Sequence, residues 1–226
     1  MGNKGNNRHI KRLASASRLR VKRKEAVYLS KPKAGRHKRD DSVALGVILR
    51  EQMEGIDTAK EANKALLEGS IEVNGKVIKE FKYPVGLEDY VHIKPSNEYF
   101  KLSIGAHGSL KAEKVKGYSS RIMKVIGKYI APSNKLMIML HSGETREGKN
   151  EIKVNDSILL KDDKIEKVLK LEKGAECIVI SGTHASETGR IKEIKQGTST
   201  REALIEIESN SKNFETLLNN IMVIGA

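Results

Sequence analysis

The sequence predicts a multi-module α+β protein. It reads as a basic extended arm over residues 1–41, a small α+β domain over 42–94, a β-rich central domain over 95–171 and a small β module over 172–226. Three observations carry this prediction. Positive charge is concentrated at one end of the chain. Helical periodicity is confined to the stretch just after the arm, where it runs into one sharp hairpin signal. Beyond residue 95 the apolar residues come in short runs separated by Gly, Asn, Asp and Ser, the pattern of short strands. A chain of 226 residues accommodates one large domain or two to three small ones. With 4% aromatic residues and no Trp, small aliphatic cores fit better than one large aromatic core.

The arm comes first. Residues 1–40 hold 14 of the 42 basic residues and 2 of the 29 acidic ones, leaving 28 basic and 27 acidic residues for the other 186. The net charge of +13 therefore resides almost wholly in the arm, and the body is nearly neutral. Ser17 to Arg39 alone carries ten Lys or Arg against the single acid Glu25. Such a block repels itself and has little to bury, so it is expected to stay unstructured until a polyanion gives it a path. On that reading the body folds without it. The partner is a nucleic acid or an anionic membrane surface, and the arm lacks the bulky apolar spacing that a membrane-lying helix needs. Pro32 biases Lys31 toward extended backbone.

In "DDSVALGVILREQMEG", Asp41 or Ser42 is the expected helix cap, Leu45, Ile48, Leu49 and Met53 form one stripe, and Gly55 is the stop. In "DTAKEANKALLEG", Thr58 and Glu61 have the spacing of a capping box. Ala59, Ala62, Ala65 and Leu66 make a narrow inner face, and Gly69 ends the helix. "SIEVNGKVIKEF" then alternates apolar and polar residues around Asn74-Gly75, the strongest short hairpin signal. "YPVGLEDYVHI" adds a turn and a strand through Val91 and Ile93.

From residue 95, "YFKLSI", "KVIGKYI", "KLMIML", "DSILL" and "KVLKL" read as short strands, with a helical alternative open for "SSRIMKVIGKYI". At the end, "AECIVISG" and "GRIKEIK" flank the polar loop "THASET", and "ALIEIES" and "NNIMVIGA" add further strands.

The block over 42–94 resembles the S4 RNA-binding domain. The residues that carry the likeness are Ala59, Ala62, Gly69, Val73, Asn74, Gly75, Pro84 and Asp89. In that family RNA lies against the two helices, which implies Arg50, Lys60 and Lys64 as phosphate contacts. The block "GAECIVISGTHASETGRIKEI" resembles the KOW motif of SH3-like β-barrels through Cys177, Val179, Gly182, Gly189, Ile191 and Ile194. That likeness implies His184 and Arg190, in and beside the loop Thr183 to Thr188, as RNA contacts.

Both blocks in this order behind a basic arm resemble the archaeal and eukaryotic S4e family of small-subunit ribosomal proteins. The likeness runs from "HIKRLA" to "NNIMVIG" and is most detailed in "KPKAGRHK" and "YPVGLEDYVHI". The chain departs from the family in lacking a Trp after "KRLA" and in having Arg36 before His37. It also lacks the C-terminal extension of eukaryotic members, so an archaeal-type protein is expected.

The resemblance implies a noncatalytic, cytoplasmic ribosome constituent. Its partners are small-subunit rRNA and neighbouring ribosomal proteins, and it needs no cofactor and no metal. The candidate RNA-binding residues in the arm are Arg8, Lys11, Arg12, Arg18, Arg20, Lys22, Arg23, Lys24, Lys31, Lys33, Arg36, His37, Lys38 and Arg39. Arginines there can fork to phosphate or stack on bases. Two alternatives stay open. S4 domains also accompany pseudouridine synthases, and KOW modules occur in transcription elongation factors.

Catalytic patterns do not emerge. The six histidines have no metal-ligand spacing, and no P-loop or nucleophile-elbow motif occurs. One cysteine, Cys177, permits no internal disulfide and reads as packed. Asp40-Asp41 and Asp162-Asp163 read as a cap and a turn. No apolar run approaches the ~18 residues of a membrane span, and no signal-peptide pattern is seen, so a soluble intracellular protein is expected.

Overall fold

A computed structural model describes residues 9–16, 19, 21–53, 55–132, 134–161, 164–198, 201–209 and 212–225. The chain divides into two compact units, Met1–Ser103 with Ser109–Tyr118, and Ile104–Gly108 with Ser119–Ala226. The described residues are mostly β, arranged in several sheets, with two short α-helices.

In the first unit, β1 (Ile10–Lys11) pairs antiparallel with β2 (Tyr28–Leu29). Next come β3 (Ser42–Ala44), α1 (Leu45–Glu51), α2 (Ala59–Leu67), β4 (Ile71–Val73), β5 (Lys76–Val77), β6 (Pro84–Gly86), β7 (Tyr90–Ile93), β8 (Glu98–Gly105) and β9 (Ser109–Val115). A five-stranded sheet has the order β5-β4-β7-β8-β9, and β3 pairs separately with β6. The sheet that begins at the Asn74-Gly75 hairpin thus continues past residue 94.

The first helix does not start where the sequence predicts. Ser42–Ala44 is a strand paired with Pro84–Gly86, and α1 has Ala44 as its N-cap with no side-chain cap. The physical reason is visible at the helix start. Its first amides donate to main-chain carbonyls from the 80s loop, Leu45 N to Tyr83 O at 2.8 Å and Gly46 N to Phe81 O at 3.0 Å. Orphan donors satisfied this way need no capping side chain. Gly46 is required by the same approach, because a Cβ there would lie 2.2 Å from the Phe81 ring. The predicted stripe of Leu45, Ile48, Leu49 and Met53 is buried, and Gly46 and Val47 are buried with it.

The second helix follows its sequence signal. Thr58 Oγ1 accepts from Glu61 N at 3.2 Å, and the Glu61 carboxylate accepts from Thr58 N at 3.2 Å, so the capping box is closed. Ala62 and Leu66 are buried and Ala65 half-buried, but Ala59, in the first turn, is exposed. Asn74 and Gly75 have φ of 52° and 76°, the left-handed pair a two-residue hairpin turn demands.

The described part of the arm is folded onto the first unit, which corrects the expectation of a segment ordered only by polyanion. Leu19 and Leu29 are buried, and Leu19 bridges to Leu110 of the body. Lys33 N donates to Lys82 O at 2.9 Å. Two polar arm residues, Arg12 and His37, are buried as well, at 1% and 5% exposure. The arm needs no core of its own because acids in the body receive these two side chains.

The second unit holds two five-stranded antiparallel sheets. The first comprises β10 (Arg121–Ile130), β11 (Leu136–Leu140), β12 (Thr145–Glu147), β13 (Ser157–Lys161) and β14 (Lys164–Leu169), in the order β12-β11-β10-β13-β14. The second comprises β15 (Glu176–Val179), β16 (Thr188–Lys195), β17 (Leu204–Glu208), β18 (Asn213–Leu217) and β19 (Ile221–Gly225), in the order β18-β17-β16-β15-β19. The helical alternative for "SSRIMKVIGKYI" is excluded, since β10 is a strand paired on both sides. Met123, Val125, Ile138 and Leu160 build one core, and Cys177, Val179, Ile191, Ile207 and Val223 the other. Between the two sheets, Val223 N donates to Ser157 Oγ at 3.1 Å, and Lys124 Nζ donates to Leu218 O at 2.9 Å and Asn219 O at 3.0 Å.

Candidate nucleic-acid interface

Two buried carboxylates fix the path of the arm. At the first, Glu51 at the end of α1 accepts from Arg12 Nη2 at 2.5 Å, from Arg50 Nη2 at 2.8 Å and from Lys22 N at 3.3 Å. Arg12 Nη1 also donates to Lys22 O at 2.7 Å, so one guanidinium ties two parts of the arm to the helix. At the second, Asp89 Oδ2 accepts from His37 Nε2 at 2.8 Å and from Gly86 N at 3.0 Å. Its Oδ1 accepts from Asn74 Nδ2 at 2.7 Å, and Asn74 Oδ1 accepts from Tyr90 N at 2.9 Å. Arg36 lies 3.9 Å from the same carboxylate.

Burial alone would raise the Asp89 pKa. The hydrogen bond and charge of His37, the charge of Arg36 and the Gly86 amide outweigh it and hold the carboxyl down at about 2. Asp89 is therefore an anion at neutral pH. The packing is close, since a Cβ on Gly86 would lie 2.5 Å from the His37 ring. Buried ion pairs are weak sources of net stability, and their best-attested use is to fix register. Here what they fix is the route of the arm.

The predicted arm residues therefore fall into two groups. Arg12 and His37, expected to face RNA, point inward, because Glu51 and Asp89 bind them and their side chains are each 2% exposed. Arg36 is largely covered, at 20% side-chain exposure, and Arg50 on α1 is half-buried beside Glu51. Lys11, Lys22, Lys24, Lys33, Lys38 and Arg39 are exposed. Arg23 and Lys31 are half-buried, and Arg23 Nη1 donates to Leu13 O at 3.3 Å. Lys22, Lys33 and Arg39 meet Glu25, Glu80 and Asp40 in exposed pairs. Pairs of that kind hold a cation by less than about 1 kcal/mol, so they leave it available to phosphate. Arg8, Arg18 and Arg20 lie outside the described residues, as does the Asp162-Asp163 pair.

On α2, Lys60 and Lys64 are both exposed on one face, with Lys64 3.8 Å from Glu68. In the second unit, the His184 ring stacks on Phe214 at 4.2 Å and its Nδ1 lies 3.3 Å from Glu187. Arg190 is 71% exposed and donates to Glu176 at 3.2 Å.

Sequence reasoning misses the organising acids. In the sequence Asp89 stands out only as part of a turn-bearing motif, and Glu51 is one acid among many. The available signal is that a strongly basic arm precedes a body whose acids must be placed somewhere. Cys177 is buried, which pushes its thiol up to about 11, and it donates to Gly189 O at 3.5 Å. Among the described residues no group of three His, Cys, Asp or Glu could hold a metal ion. Nor is any described helix long and apolar enough to cross a membrane.

Comparison with known proteins gives consistent results. Residues 96–167 match the model of ribosomal family S4e. The chain is 32% identical over 219 residues to small ribosomal subunit protein eS4 of Methanocella arvoryzae, covering 96% of this chain and 94% of that protein. It is 33% identical over 224 residues to the protein of the same name from Natronomonas pharaonis, covering 96% and 94%. The crystal structure of ribosomal protein S4e from Thermoplasma acidophilum superposes with a TM-score of 0.71 at 29% identity, covering 83% of this chain and 96% of that one.

Proposed function

The chain belongs to ribosomal family S4e, and from that premise we propose that its basic arm and small modules bind and stabilise folded small-subunit rRNA. It is a structural constituent of the small ribosomal subunit and not an enzyme, and it works on the ribosome in the cytoplasm. Neither an RNA-modifying activity nor a role in transcription elongation draws support from these relatives.

The observation that carries the RNA-binding reading is the sorting of arm cations. Arg12 and His37 are consumed inside, while Lys11, Lys22, Lys24, Lys33, Lys38 and Arg39 stand outside on a backbone whose path the interior pairs define. A fixed row of cations meets a fixed row of phosphates with less ordering cost than a free tail does. Each neutralised phosphate releases counterions, and the complex weakens with salt in proportion to the number of contacts. Duplex segments are read through phosphate and 2′-OH geometry rather than base sequence.

The remaining assignments follow the family. Residues 1–41 act as the RNA-binding arm, and 42–94 as an S4-type domain that offers Lys60 and Lys64 on α2. Residues 95–171 act as the central β-rich domain, and 172–226 as a KOW-type module that offers His184 and Arg190. Neighbouring ribosomal proteins complete its surroundings.

The test is binding of the full-length protein to purified small-subunit rRNA across a salt series, with nuclease footprinting of the complex. Salt-sensitive binding with discrete protected helices is the expected result. Equal affinity for unrelated duplex RNA without a footprint would reject the reading.

A further inference from the structure

The outer face of the β1–β2 ribbon carries a feature that phosphate neutralisation does not explain. Lys11 and Tyr28 are direct cross-strand partners, so their side chains rise on the same side, and both are exposed. The neighbouring pair, Ile10 and Leu29, faces the other way, and Leu29 is buried. Tyr28 leaves 59% of its surface open, and the His9 ring stands 5.8 Å from it, tilted by 56°. These rings edge a cleft of about 530 Å3 whose walls also include Ile10, Leu19, Leu29, Pro32, Lys11 and Arg39, with Asp40 3.3 Å from Arg39 as the one acid among its lining residues. That volume lies within the ~300–1,000 Å3 range of small-ligand sites and exceeds what one planar base needs.

We infer that this cleft receives one unstacked nucleobase from a single-stranded segment of RNA. Tyr28 supplies the ring on which the base stacks, with His9 at the edge. Lys11 and Arg39 supply positive charge for the phosphates on either side. Stacking on an aromatic face tolerates any base, because every base has a π-face. Loops and bulges of folded RNA present such bases, whereas duplex segments do not. An exposed Tyr by itself would be an ordinary surface residue. Here it shares a concave site with a second ring and two cations, on a segment fixed by buried pairs at Arg12 and His37. The inference rests on the rRNA-binding reading above.

The experiment compares wild type, Tyr28→Leu and Tyr28→Phe, all full-length, in binding to purified small-subunit rRNA at raised salt, where phosphate contacts are weakened. Tyr28→Phe should bind like wild type and Tyr28→Leu about tenfold more weakly. Ultraviolet cross-linking of the wild-type complex, read by mass spectrometry, should yield a nucleotide on the peptide containing Tyr28. Since the Tyr28 ring is exposed, thermal melting of the variants should match wild type. Equal affinity of Tyr28→Leu and wild type overturns the inference and assigns the cleft to another occupant, such as a protein segment, while leaving rRNA binding intact. Equal weakening of Tyr28→Phe and Tyr28→Leu also overturns it, since a stacked ring does not need its hydroxyl. Failure of the wild type to bind would defeat the rRNA reading first.

Discussion

His37 Nε2 lies 2.8 Å from Asp89 Oδ2, joining the end of the basic arm to the turn before β7 across 52 residues, with both side chains buried. The same carboxylate also receives the Gly86 amide and Asn74 Nδ2. Replacing Asp89 by Ala removes the acceptor for three donors, of which His37 and Gly86 are buried and Asn74 half-buried. Breaking a buried pair from one side costs about 3–5 kcal/mol. Asp89→Ala should therefore lower the denaturant midpoint sharply, and His37→Ala should lower it less, because Gly86 and Asn74 still satisfy the acid. Equal effects of the two variants would show that the pair acts alone rather than as part of a network.

The acid also predicts a pH dependence. The Asp89 carboxyl is held at about 2 in the folded chain against an ordinary value of 3.8. Its pKa is depressed on folding, so the stability it contributes is fully present above about pH 4 and is lost as pH falls toward 2. The contribution is about 2 kcal/mol. Unfolding free energies measured across that window should fall more steeply for wild type than for Asp89→Asn. Parallel curves would mean that Asp89 is not the titrating group.

Lys124 predicts the opposite limb. Burial depresses its pKa from 10.5 to about 8, and its ammonium donates to Leu218 O and Asn219 O between the two sheets of the second unit. The folded chain releases this proton first. Between about pH 8 and 10.5 the unfolded chain therefore binds more protons, and stability from this group rises with pH by about 3 kcal/mol. Lys124→Met should lack that rise, so the stability of wild type relative to the variant should climb across this window. A difference that stays flat from pH 7 to 11 would contradict the assignment.

Local signals in the sequence are reliable wherever the partner is a few residues away. The Thr58–Glu61 capping box closes as its spacing predicts, and the Asn74-Gly75 turn joins β4 to β5. The loop between "AECIVISG" and "GRIKEIK" joins β15 to β16. Reading fails where the partner is distant. The start of α1 is satisfied by carbonyls of Phe81 and Tyr83, so its cap cannot be found near Asp41. Which arm cations are anchors is equally hidden, because Glu51 and Asp89 lie 39 and 52 residues from Arg12 and His37. Counting charge identifies a basic arm but cannot separate the residue that faces a carboxylate from the one that faces solvent.

That separation changes what truncation does. An arm free of the body could be deleted without harm. Removal of residues 1–40 instead strips Arg12 from Glu51 and His37 from Asp89, and uncovers the sites of Leu19 and Leu29. The truncated chain should melt well below the full-length protein, by more than 10 °C if about 3 kcal/mol is lost from a domain of ~100 residues. An unchanged melting temperature would show that the arm is not integral to the first unit.

Because truncation confounds folding with binding, the electrostatic role of the arm is better tested by neutralising exposed cations alone. Lys22, Lys24 and Lys38 are exposed, and the Lys22 ammonium pairs with Glu25 at the surface. The triple variant Lys22→Gln, Lys24→Gln, Lys38→Gln should melt within about 1 kcal/mol of wild type, since surface pairs contribute little. Its affinity for small-subunit rRNA should fall, and the slope of log affinity against log salt should shrink by about 0.7–0.9 for each phosphate that is no longer neutralised. Arg12→Gln should behave in the reverse manner. It should destabilise the first unit, because Glu51 keeps its charge without its nearest guanidinium, yet at temperatures where the protein remains folded it should leave the salt slope unchanged. A reduced slope for Arg12→Gln in protein verified as folded would mean that this guanidinium leaves Glu51 for phosphate in the complex, and the division between interior and exterior cations would then fail.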